Sequence, residues 1–178
     1  IASEGVGPEY TERIHILPYH HGNRSPNADP NARGIVDGLT LDMSYDTLAR
    51  LYYATIQAIA YGTRHIIDAL EEKGYVIRTI KACGGGTKNP LWIQTHADAA
   101  QRPIELPEEP EAVLLGAAIL GAVAGGAFDS IESAMWEMCK AGEVVEPNAS
   151  SKAYHDWKYG LQMEMYQEHL ARRNSSPK

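Results

Sequence analysis

The sequence predicts an α/β layered domain, and three observations lead to that prediction. Residues 44–73 carry apolar side chains at three- and four-residue spacing, which is typical of one face of a long helix. After Gly74, short runs rich in Val and Ile alternate with helical segments, the order expected when helices cover a sheet. The chain has 178 residues, of which 44% are apolar and 22% charged, so it can bury a real core. This composition excludes a disordered tail, a collagen-like chain and a small disulfide scaffold.

The first half of the chain is predicted to hold two short strands, a loop and the long helix. The strands are expected at residues 14–18 and 34–41, and the segment between them, residues 20–34, is dense in turn-forming residues. A long loop of this kind inside a domain is uncommon and often functional. Ser44 is expected to cap the start of the helix and Gly74 to end it. Its expected buried face consists of Leu48, Tyr52, Thr55, Ile56, Ile59, Thr63, Ile66 and Leu70.

The second half is predicted to alternate strands and helices. Residues 75–83 are rich in Val, Ile and Tyr and predict a strand that runs into the glycines at 84–86. Asn89 and Pro90 are typical of an N-cap followed by the first helical position, so a helix should extend to about residue 100. Beyond it we expect a short strand at residues 103–106 and helices at 111–124, 130–140 and 151–172.

Charge and cysteine content narrow the function classes. The 16 basic and 23 acidic residues give a net charge of −7, and no basic run is longer than Arg172-Arg173, which disfavours nucleic acid as a partner. Cys83 and Cys139 have neither disulfide-framework nor zinc-ligand spacing, so no metal site is predicted and a reducing, cytoplasmic compartment is expected. The longest apolar run, residues 112–128, holds four glycines and is too short for a confident membrane span. No secretory signal is visible.

The strand, glycine turn and helix at residues 76–100 form the main candidate site. Glycines allow a ligand to approach the backbone, and a helix start offers free N–H groups and a positive dipole end, an arrangement that binds anionic cofactors. Two familiar phosphate-binding motifs are excluded, because the sequence lacks a residue that each of them requires. Thr87 stands where a Walker loop needs Lys, and Asn89 stands where the dinucleotide fingerprint needs its third glycine. These residues alone leave two interpretations open, a nucleotide site and a tight turn without a ligand.

Other polar and small-residue segments are given structural roles. The adjacent His20 and His21 would face opposite ways on a strand and have no carboxylate spaced to join them, so loop positions are expected rather than metal ligands. Asp29 and Arg33 are expected to pair and to shape the loop. Residues 116–118, Gly-Ala-Ala, predict a close-packing surface, and the aromatic residues of the last helix predict core. No catalytic triad follows from the spacing of Ser, His, Asp or Cys.

Four blocks of sequence together resemble the C-terminal half of the FGGY family of carbohydrate kinases. In chain order they are GNRSP at 22–26 with DPNARG at 29–34, ATIQAIAY at 54–61, GGGTKNPLW at 84–92, and Glu111 with LGAA at 115–118. The resemblance covers about residues 17–166. The GNRSP block and the KNPLW run look most similar to pentulose kinases of the D-ribulokinase-like branch, with glycerol kinase and xylulokinase as near alternatives.

The resemblance implies an RNase H-like or actin-like ATPase lobe, a mixed sheet packed by helices, in a kinase whose two lobes close on a sugar. Residues 1–178 would form one C-terminal lobe, incomplete at its start, and the N-terminal sugar-binding lobe of the same enzyme would lie outside this chain. Gly84, Gly85, Gly86 and Asn89 would bind the nucleotide, at the adenosine and α-phosphate end of ATP. The catalytic base, the sugar-binding residues of the first lobe and the other phosphate loops have no counterpart here.

The expected function is therefore the Mg²⁺- and ATP-dependent phosphorylation of a pentulose such as D-ribulose, with this chain alone inactive. Phosphoryl transfer depends on positioning, metal and a base, which a partial nucleotide lobe does not supply. The alternatives are a glycerol, xylulose or other polyol kinase, a non-catalytic regulatory module with an actin-like lobe and, disfavoured by the missing third glycine, a nucleotide-dependent oxidoreductase. The expected partners are the sugar, ATP and the missing lobe, with a homodimer left open and neither nucleic acid nor membrane.

Overall fold

Residues 5–175 are described by the computed structural model, and this part of the chain folds into helices packed around two small sheets. The helices are α1 (Tyr45–Glu71), α2 (Pro90–Ala100), α3 (Ala112–Ala124), α4 (Ile131–Met138) and α5 (Lys152–Asn174). The strands are β1 (His15–Leu17), β2 (Ile35–Asp37), β3 (Ile80–Lys81), β4 (Ile104–Pro107) and β5 (Ala141–Val145). Short 3-10 turns occur at Pro8–Thr11, Gly85–Lys88 and Ala149–Ser151. Within the described range, none of the helices has the length and apolar character that a membrane crossing needs.

The two sheets differ in how their strands pair. β1 and β2 form an antiparallel pair in which Ile16 lies opposite Val36. In the other sheet the order is β3-β4-β5, with β3 parallel and β5 antiparallel to β4. The predicted α/β architecture with a mixed sheet is confirmed. Two details of the prediction are wrong: the strand at residues 75–83 is reduced to β3, because only Ile80 and Lys81 pair with β4, and β5 lies where no strand was predicted.

Helix α1 begins and ends where its sequence predicts. The Ser44 hydroxyl accepts a hydrogen bond from the Thr47 N–H at 3.3 Å, which satisfies one of the free donors of the first turn. After the last turn, Gly74 adopts a φ of +90°, a conformation that glycine takes without strain. The Tyr75 N–H then reaches back to the Leu70 carbonyl at 3.2 Å and closes the end of the helix.

The buried face of α1 differs from the predicted one. The residues that the helix buries are Tyr53, Ala54, Ile56, Gln57, Ala58, Ala60, Tyr61 and Ile67. The exposed members of the predicted face are Leu48, Tyr52, Ile59 and Ile66. The prediction is wrong because α1 is apolar on two sides. One side packs on β1 through Ala54 and Ala58 and on α2 through Ala60 and Tyr61, while the other carries the more regular apolar repeat.

The three-stranded sheet packs against α2. Ile93 and Ala97 of α2 and Ile104 of β4 form a buried cluster, and Ile80 and Val145 lie beside it. Burying a large aliphatic side chain contributes about 1.5–3 kcal/mol. This packing positions the start of α2 relative to the end of β3, which is where the candidate site lies.

Helix α5 holds the segment before β1 in place. The Lys158 side chain is buried, and its ammonium group donates hydrogen bonds to the carbonyls of Thr11, at 2.8 Å, and of Ile14. Burial lowers the pKa of Lys158 to about 8, because the charged form loses hydration. The Tyr154 hydroxyl lies 3.0 Å from the Thr11 hydroxyl and forms a further hydrogen bond. The segment before β1 is therefore fastened to a helix near the other end of the described chain.

Candidate functional site

The glycine turn connects β3 to α2. Gly84 has a φ of +97° and a ψ of −173°, a backbone conformation that glycine adopts and other residues avoid. The chain then makes a 3-10 turn in which the N–H and the hydroxyl of Thr87 both donate to the Gly84 carbonyl, at 3.1 Å and 2.7 Å. The Asn89 N–H donates to the Gly86 carbonyl at 3.2 Å. These local bonds define the shape of the turn.

Asn89 caps α2, as its position in the sequence predicts. Its Oδ1 atom accepts hydrogen bonds from the N–H groups of Leu91, at 3.1 Å, and Trp92, at 3.4 Å. Pro90 occupies the first helical position, where its missing N–H costs nothing. The other end of the amide, Nδ2, donates to the Tyr52 hydroxyl of α1 at 3.0 Å. One side chain thus joins the glycine turn, the start of α2 and the middle of α1.

Two of the three glycines of the turn face open space. A Cβ atom added at Gly84 or Gly85 would meet no atom of the described chain within 4 Å, whereas one at Gly86 would lie 3.6 Å from the Trp92 ring. The N–H groups of Gly85 and Gly86 donate no hydrogen bond within the described residues. Two backbone donors therefore lie in a turn that is open at Gly84 and Gly85 and bordered by the Trp92 ring at Gly86. That arrangement suits a ligand with anionic oxygens or hydroxyl groups.

An aromatic pair supports the start of α2. The rings of Trp92 and His96 are stacked, with their centroids 3.5 Å apart, and His96 Nδ1 lies 2.8 Å from the Trp92 carbonyl oxygen. Burial lowers the pKa of His96 to about 4, so this ring is neutral at pH 7. A neutral His96 keeps the Trp92 ring beside Gly86 without adding charge to the site.

Lys88 is the charged residue of the turn, and its side chain contacts that of Glu111. They form an ion pair of 3.1 Å that links the turn to the start of α3. Both side chains are more than half exposed, so the pair contributes less than about 1 kcal/mol. So weak a pair leaves the Lys88 ammonium group available to an anion that enters the turn.

A cavity of about 500 Å³ lies between the three-stranded sheet and helices α3 and α4. Its lining is mainly apolar, and Cys83 and Cys139 both border it as free, exposed thiols. The close packing predicted at residues 116–118 is wrong. Gly116 borders this cavity, and a Cβ atom added there would meet nothing within 4 Å in the described chain.

The predicted pair of Asp29 and Arg33 does not form. The Asp29 carboxylate accepts two hydrogen bonds from the Arg173 guanidinium, at 2.8 Å and 3.0 Å. Arg33 donates instead to the carbonyls of Pro30 and Ala32 in its own loop. The bonds from Arg173, together with nearby backbone N–H groups, lower the pKa of Asp29. The prediction failed because Arg173 lies 144 residues from Asp29, where spacing along the chain carries no signal.

The remaining polar residues form no further candidate site in the described part of the chain. His20 and His21 are exposed loop residues. Among residues 5–175, no group of three or more His, Cys, Asp or Glu residues is placed to hold a metal ion. Aspartates of α1 and α5 are bonded to side chains of the same two helices, in the pairs Asp46–Arg50, Asp68–Tyr159 and Asp156–Arg64.

Tyr52 reaches the site without a sequence signal that points there. Its spacing placed it on the buried face of α1, yet it is 52% exposed and bonds Asn89, 37 residues further along the chain. A tyrosine in the apolar repeat of a helix is ordinarily a core residue. Only the packing of α1 against α2 brings its hydroxyl to the glycine turn.

This arrangement of helices and mixed sheet is that of an actin-like ATPase lobe, and it recurs in solved sugar kinases. A xylulose kinase from Lactobacillus acidophilus, solved with a ligand bound, has a TM-score of 0.75 and 25% identity and covers 95% of this chain. A glycerol kinase from Plasmodium falciparum, solved with ADP, has a TM-score of 0.66 and 21% identity over 93% of this chain. This chain in turn covers 34% of each of those proteins.

The chain belongs to the FGGY family of carbohydrate kinases. Residues 6–125 match the C-terminal domain of that family. An FGGY carbohydrate kinase domain-containing protein of Xenopus laevis is 53% identical over 146 residues, which are 82% of this chain and 26% of the relative. The Homo sapiens protein of the same description is 49% identical over 164 residues, 90% of this chain and 30% of the relative. A D-ribulokinase of Saccharomyces cerevisiae is 40% identical over 118 residues, 65% of this chain and 16% of that protein. The chain thus spans less than a third of the length of these relatives.

Proposed function

We propose that this chain supplies the nucleotide-binding surface of an ATP-dependent carbohydrate kinase, with Gly84, Gly85, Gly86 and Asn89 in contact with the nucleotide. The observation that carries the proposal is the glycine turn, where two unused backbone donors lie beside glycines that face open space. Membership of a kinase family supports ATP as the phosphoryl donor. A protein with the same fold, the Plasmodium falciparum glycerol kinase, was solved with ADP.

The backbone N–H groups of the turn and of the start of α2 fall into two sets, one used within the protein and one available to the nucleotide. The N–H groups of Leu91 and Trp92 are used by the Asn89 cap, so they are not offered to a phosphate. The N–H groups of Gly85 and Gly86 are unused and would donate to ribose hydroxyls or to the α-phosphate. Because Asn89 Oδ1 is committed to the cap, a contact from Asn89 to adenine would go through Nδ2, which now bonds Tyr52.

The remaining parts of the kinase would come from outside this chain. Phosphoryl transfer needs a base or positioning group on the sugar hydroxyl and a metal ion on the phosphates. Among residues 5–175 the one buried aspartate is Asp98, which accepts a hydrogen bond from the Asn148 N–H at 2.7 Å. Burial raises the pKa of Asp98, and its place in the fold is structural. We assign neither a catalytic residue nor a Mg²⁺ ligand to residues 1–178. The missing part of the same enzyme, the N-terminal sugar-binding lobe together with the opening of the C-terminal lobe, would supply the catalytic groups.

The substrate we propose is a pentulose of the D-ribulose type. The 40% identity to a D-ribulokinase supports it, and glycerol and xylulose remain the alternatives. A panel of D-ribulose, D-xylulose and glycerol, assayed with the full-length kinase and MgATP, orders these substrates by kcat/KM. ATP binding without turnover of any of the three would favour a non-catalytic regulatory module instead.

Nucleotide titration of this chain tests the site. The valine side chain in Gly85→Val would enter the open space beside the turn, so the free energy of unfolding should change by no more than about 0.5 kcal/mol. The same side chain should block backbone approach and raise the Kd of a fluorescent ATP analogue at least about tenfold. Gly160→Val, at another uncrowded glycine on α5, is the matched control and should bind as the wild type does. Equal affinity of the Gly85 variant and the wild type would remove the turn from the site.

Turnover is a separate measurement on the same chain. Incubated with MgATP and D-ribulose, the 178-residue chain should form no ADP that depends on the sugar. The physical reason is that a base must come within about 3 Å of the hydroxyl it deprotonates. Six of the eight described aspartates are bonded to the chain's own groups, and the other two, Asp37 and Asp129, are exposed. Steady sugar-dependent ADP formation would place the catalytic residues inside this chain.

A further inference from the structure

His15 of β1 borders two cavities of opposite character. On its inner side lies a small cavity among buried residues, and the side chain of Lys158 lines it. On its outer side lies a groove of about 270 Å³ that is lined by the charged residues Asp37, Glu164, Glu168 and Arg172. The half-buried His15 ring therefore has a cationic neighbour on one side and carboxylates on the other.

The Lys158 ammonium group fixes the protonation state of the His15 ring. Lys158 is 4% exposed, and its Nζ atom lies 3.1 Å from His15 Nδ1. An ammonium group has three N–H donors and no acceptor. The carbonyls of Thr11 and Ile14 accept from two of these donors, so the third is directed to the ring. His15 Nδ1 must therefore accept a hydrogen bond, which requires a neutral ring with its proton on Nε2.

A protonated His15 is incompatible with this contact. An imidazolium ring donates from both nitrogens, so Nδ1–H would face the donors of Lys158 with no acceptor between them. The two groups would also carry like charges in a buried setting, where water screens them little. Lys158 is held by two carbonyls, whereas the His15 ring is half-buried and borders the outer groove. His15 is therefore the member of the pair that can move.

The outer groove holds carboxylates that suit a charged His15 ring. Asp37 lies opposite His15 in the β1–β2 pair, and Glu164 lines the same groove. Neither carboxylate has an ion-pair partner among residues 5–175, whereas Glu168 is paired with Arg172 at 2.8 Å. A carboxylate accepts a strong hydrogen bond from an imidazolium N–H. The groove thus offers the charged ring the partners that the inner cavity denies it.

We propose that His15 is an acid-operated contact between β1 and α5. In neutral form its ring accepts a hydrogen bond from Lys158 at the inner cavity. Acid protonates the ring, which then turns to the carboxylates of the outer groove. Lys158 keeps its bonds to the segment before β1 and loses its bond to β1 itself, so acid loosens the hold of α5 on the antiparallel sheet.

The other titratable groups near the inner cavity keep their charge state when the pH falls from about 7 to about 5. Burial lowers the pKa of Lys158 to about 8, against the opposing charge of Glu12, so its ammonium group stays charged in this range. Tyr61 and His155 bond each other at 2.9 Å. Burial raises the pKa of Tyr61 and lowers that of His155 to about 4, so both remain neutral. The change of charge at this cavity therefore comes from His15.

Nuclear magnetic resonance of the histidine rings tests the two positions directly. At about pH 7.5 the ring nitrogen shifts of His15 should show the proton on Nε2, and an Overhauser contact should join His15 Hε1 to the Cε methylene of Lys158. At about pH 5 the ring should be charged and this contact should be lost. A proton on Nδ1 at the higher pH would overturn the proposal, and so would a contact that persists once the ring is charged.

The pH dependence of stability gives a second readout. Burial and the Lys158 charge lower the pKa of His15 below its ordinary 6.5, and the Asp37 charge opposes them. The unfolded chain then binds the proton more readily, so stability is complete above about pH 6.5 and falls as the pH drops toward the folded pKa. His15→Asn keeps an acceptor for Lys158 and removes the titration. Between about pH 7 and about pH 5, the melting midpoint of the wild type should fall at least about 2 °C further than that of His15→Asn.

His21→Asn is the matched control, because it makes the same chemical change at an exposed loop position. Its pH profile should follow that of the wild type. A wild-type profile parallel to that of His15→Asn would overturn the proposal.

Substitution of each neighbour should move the pKa of His15 in opposite directions. Lys158→Met removes the inner charge and should raise the pKa, while Glu164→Gln removes an outer carboxylate and should lower it by at least about 0.3. Glu164 lies at the groove and makes no ion pair in the described chain, so its variant remains informative if Lys158→Met fails to fold. A His15 pKa that Glu164→Gln leaves unchanged would remove the outer position. None of these measurements involves a nucleotide.

Discussion

The loop at residues 20–34 and the glycine turn at residues 84–89 contain similar residue types, but the surroundings of their glycines differ. At Gly22 the φ angle is +79°, and an added Cβ atom would lie 2.7 Å from the Asp29 carbonyl oxygen. At Gly85 the added atom would meet nothing within 4 Å of the described chain. The fold itself leaves no room for a side chain at Gly22, whereas at Gly85 it leaves the space empty.

Hydrogen bonding separates the two regions in the same way. In the loop, the Asn23 N–H donates to the Asp29 carbonyl at 2.8 Å and the Asp29 N–H donates to the Asn23 carbonyl at 2.7 Å. Arg173 closes the loop from α5. In the turn, the N–H groups of Gly85 and Gly86 remain unused within the described residues. Glycine content by itself therefore does not mark a binding site; unused donors beside empty space do.

Valine at the two glycines should give the largest contrast. Gly22→Val combines a positive φ with contact against backbone atoms and should cost about 3 kcal/mol or more of unfolding free energy. Gly85→Val should cost no more than about 0.5 kcal/mol. Denaturant unfolding of both variants and the wild type measures the difference. Equal losses at the two positions would break the distinction between the loop and the turn.

Acid should weaken the loop through Asp29. The hydrogen bonds from Arg173 hold the pKa of Asp29 below the value of about 3.9 expected when unfolded. The unfolded state then binds the proton more readily, so the stabilisation is complete above the unfolded pKa and is lost as pH falls through the folded one. The melting midpoint of the wild type should therefore fall more steeply than that of Asp29→Asn as the pH drops below about 4. Asp37→Asn, at an exposed position of β2, serves as the control. Parallel pH profiles for wild type and Asp29→Asn would show that the ion pair does not stabilise the loop.

A smaller loss is expected at the cap of α2. Asn89→Ala removes the acceptor of two backbone N–H groups and should cost about 1 kcal/mol of unfolding free energy. Asn89→Asp keeps an acceptor at the cap and loses the donor to Tyr52, so most of that stability should return. Tyr52→Phe removes the same contact from the other side and leaves the cap intact. Thermal unfolding of the three variants should rank Asn89→Ala lowest, and a loss in Asn89→Asp as large as in Asn89→Ala would contradict the cap.

The smallest effect is expected at Arg33. Its guanidinium group bonds two carbonyls of its own loop and lies outside the Asp29–Arg173 pair, so Arg33→Ala should change the free energy of unfolding by less than about 0.5 kcal/mol. Arg173→Ala leaves Asp29 without its partner and should cost more. Chemical denaturation of the two variants measures both losses of unfolding free energy. A larger loss for Arg33→Ala than for Arg173→Ala would contradict the prediction.

The features predicted correctly from sequence are those set by residues close together in the chain. The Ser44 and Asn89 caps and the helix stop at Gly74 each depend on a few adjacent residues, so their local chemistry is sufficient. The α/β class followed from the same kind of local pattern. The nucleotide role of residues 84–89 was inferred from a turn whose sequence matches no general phosphate-binding motif. It stays a prediction, which the nucleotide titration described above tests.

The features missed are those decided between distant segments. Asp29 and Arg173 meet only because α5 folds back on the loop. The covered side of α1 could not be chosen from its periodicity, since Ile66 is exposed, its neighbour Ile67 is buried, and both are apolar. β5 contains only five residues, and its two valines gain a partner only when β4 lies alongside.

The contacts of α5 with the start of the described chain have a consequence for synthesis on the ribosome. Lys158 bonds the Thr11 carbonyl 147 residues earlier, and Arg173 bonds Asp29 144 residues earlier. At roughly 5–20 residues per second, translation takes roughly 7 to 30 seconds to make α5 after Thr11 has been added. During that interval β1, β2 and the loop between them exist without the helix that covers them. Residues 8–37 therefore leave the ribosome before α5 does, and they reach their final packing only after α5 has been made.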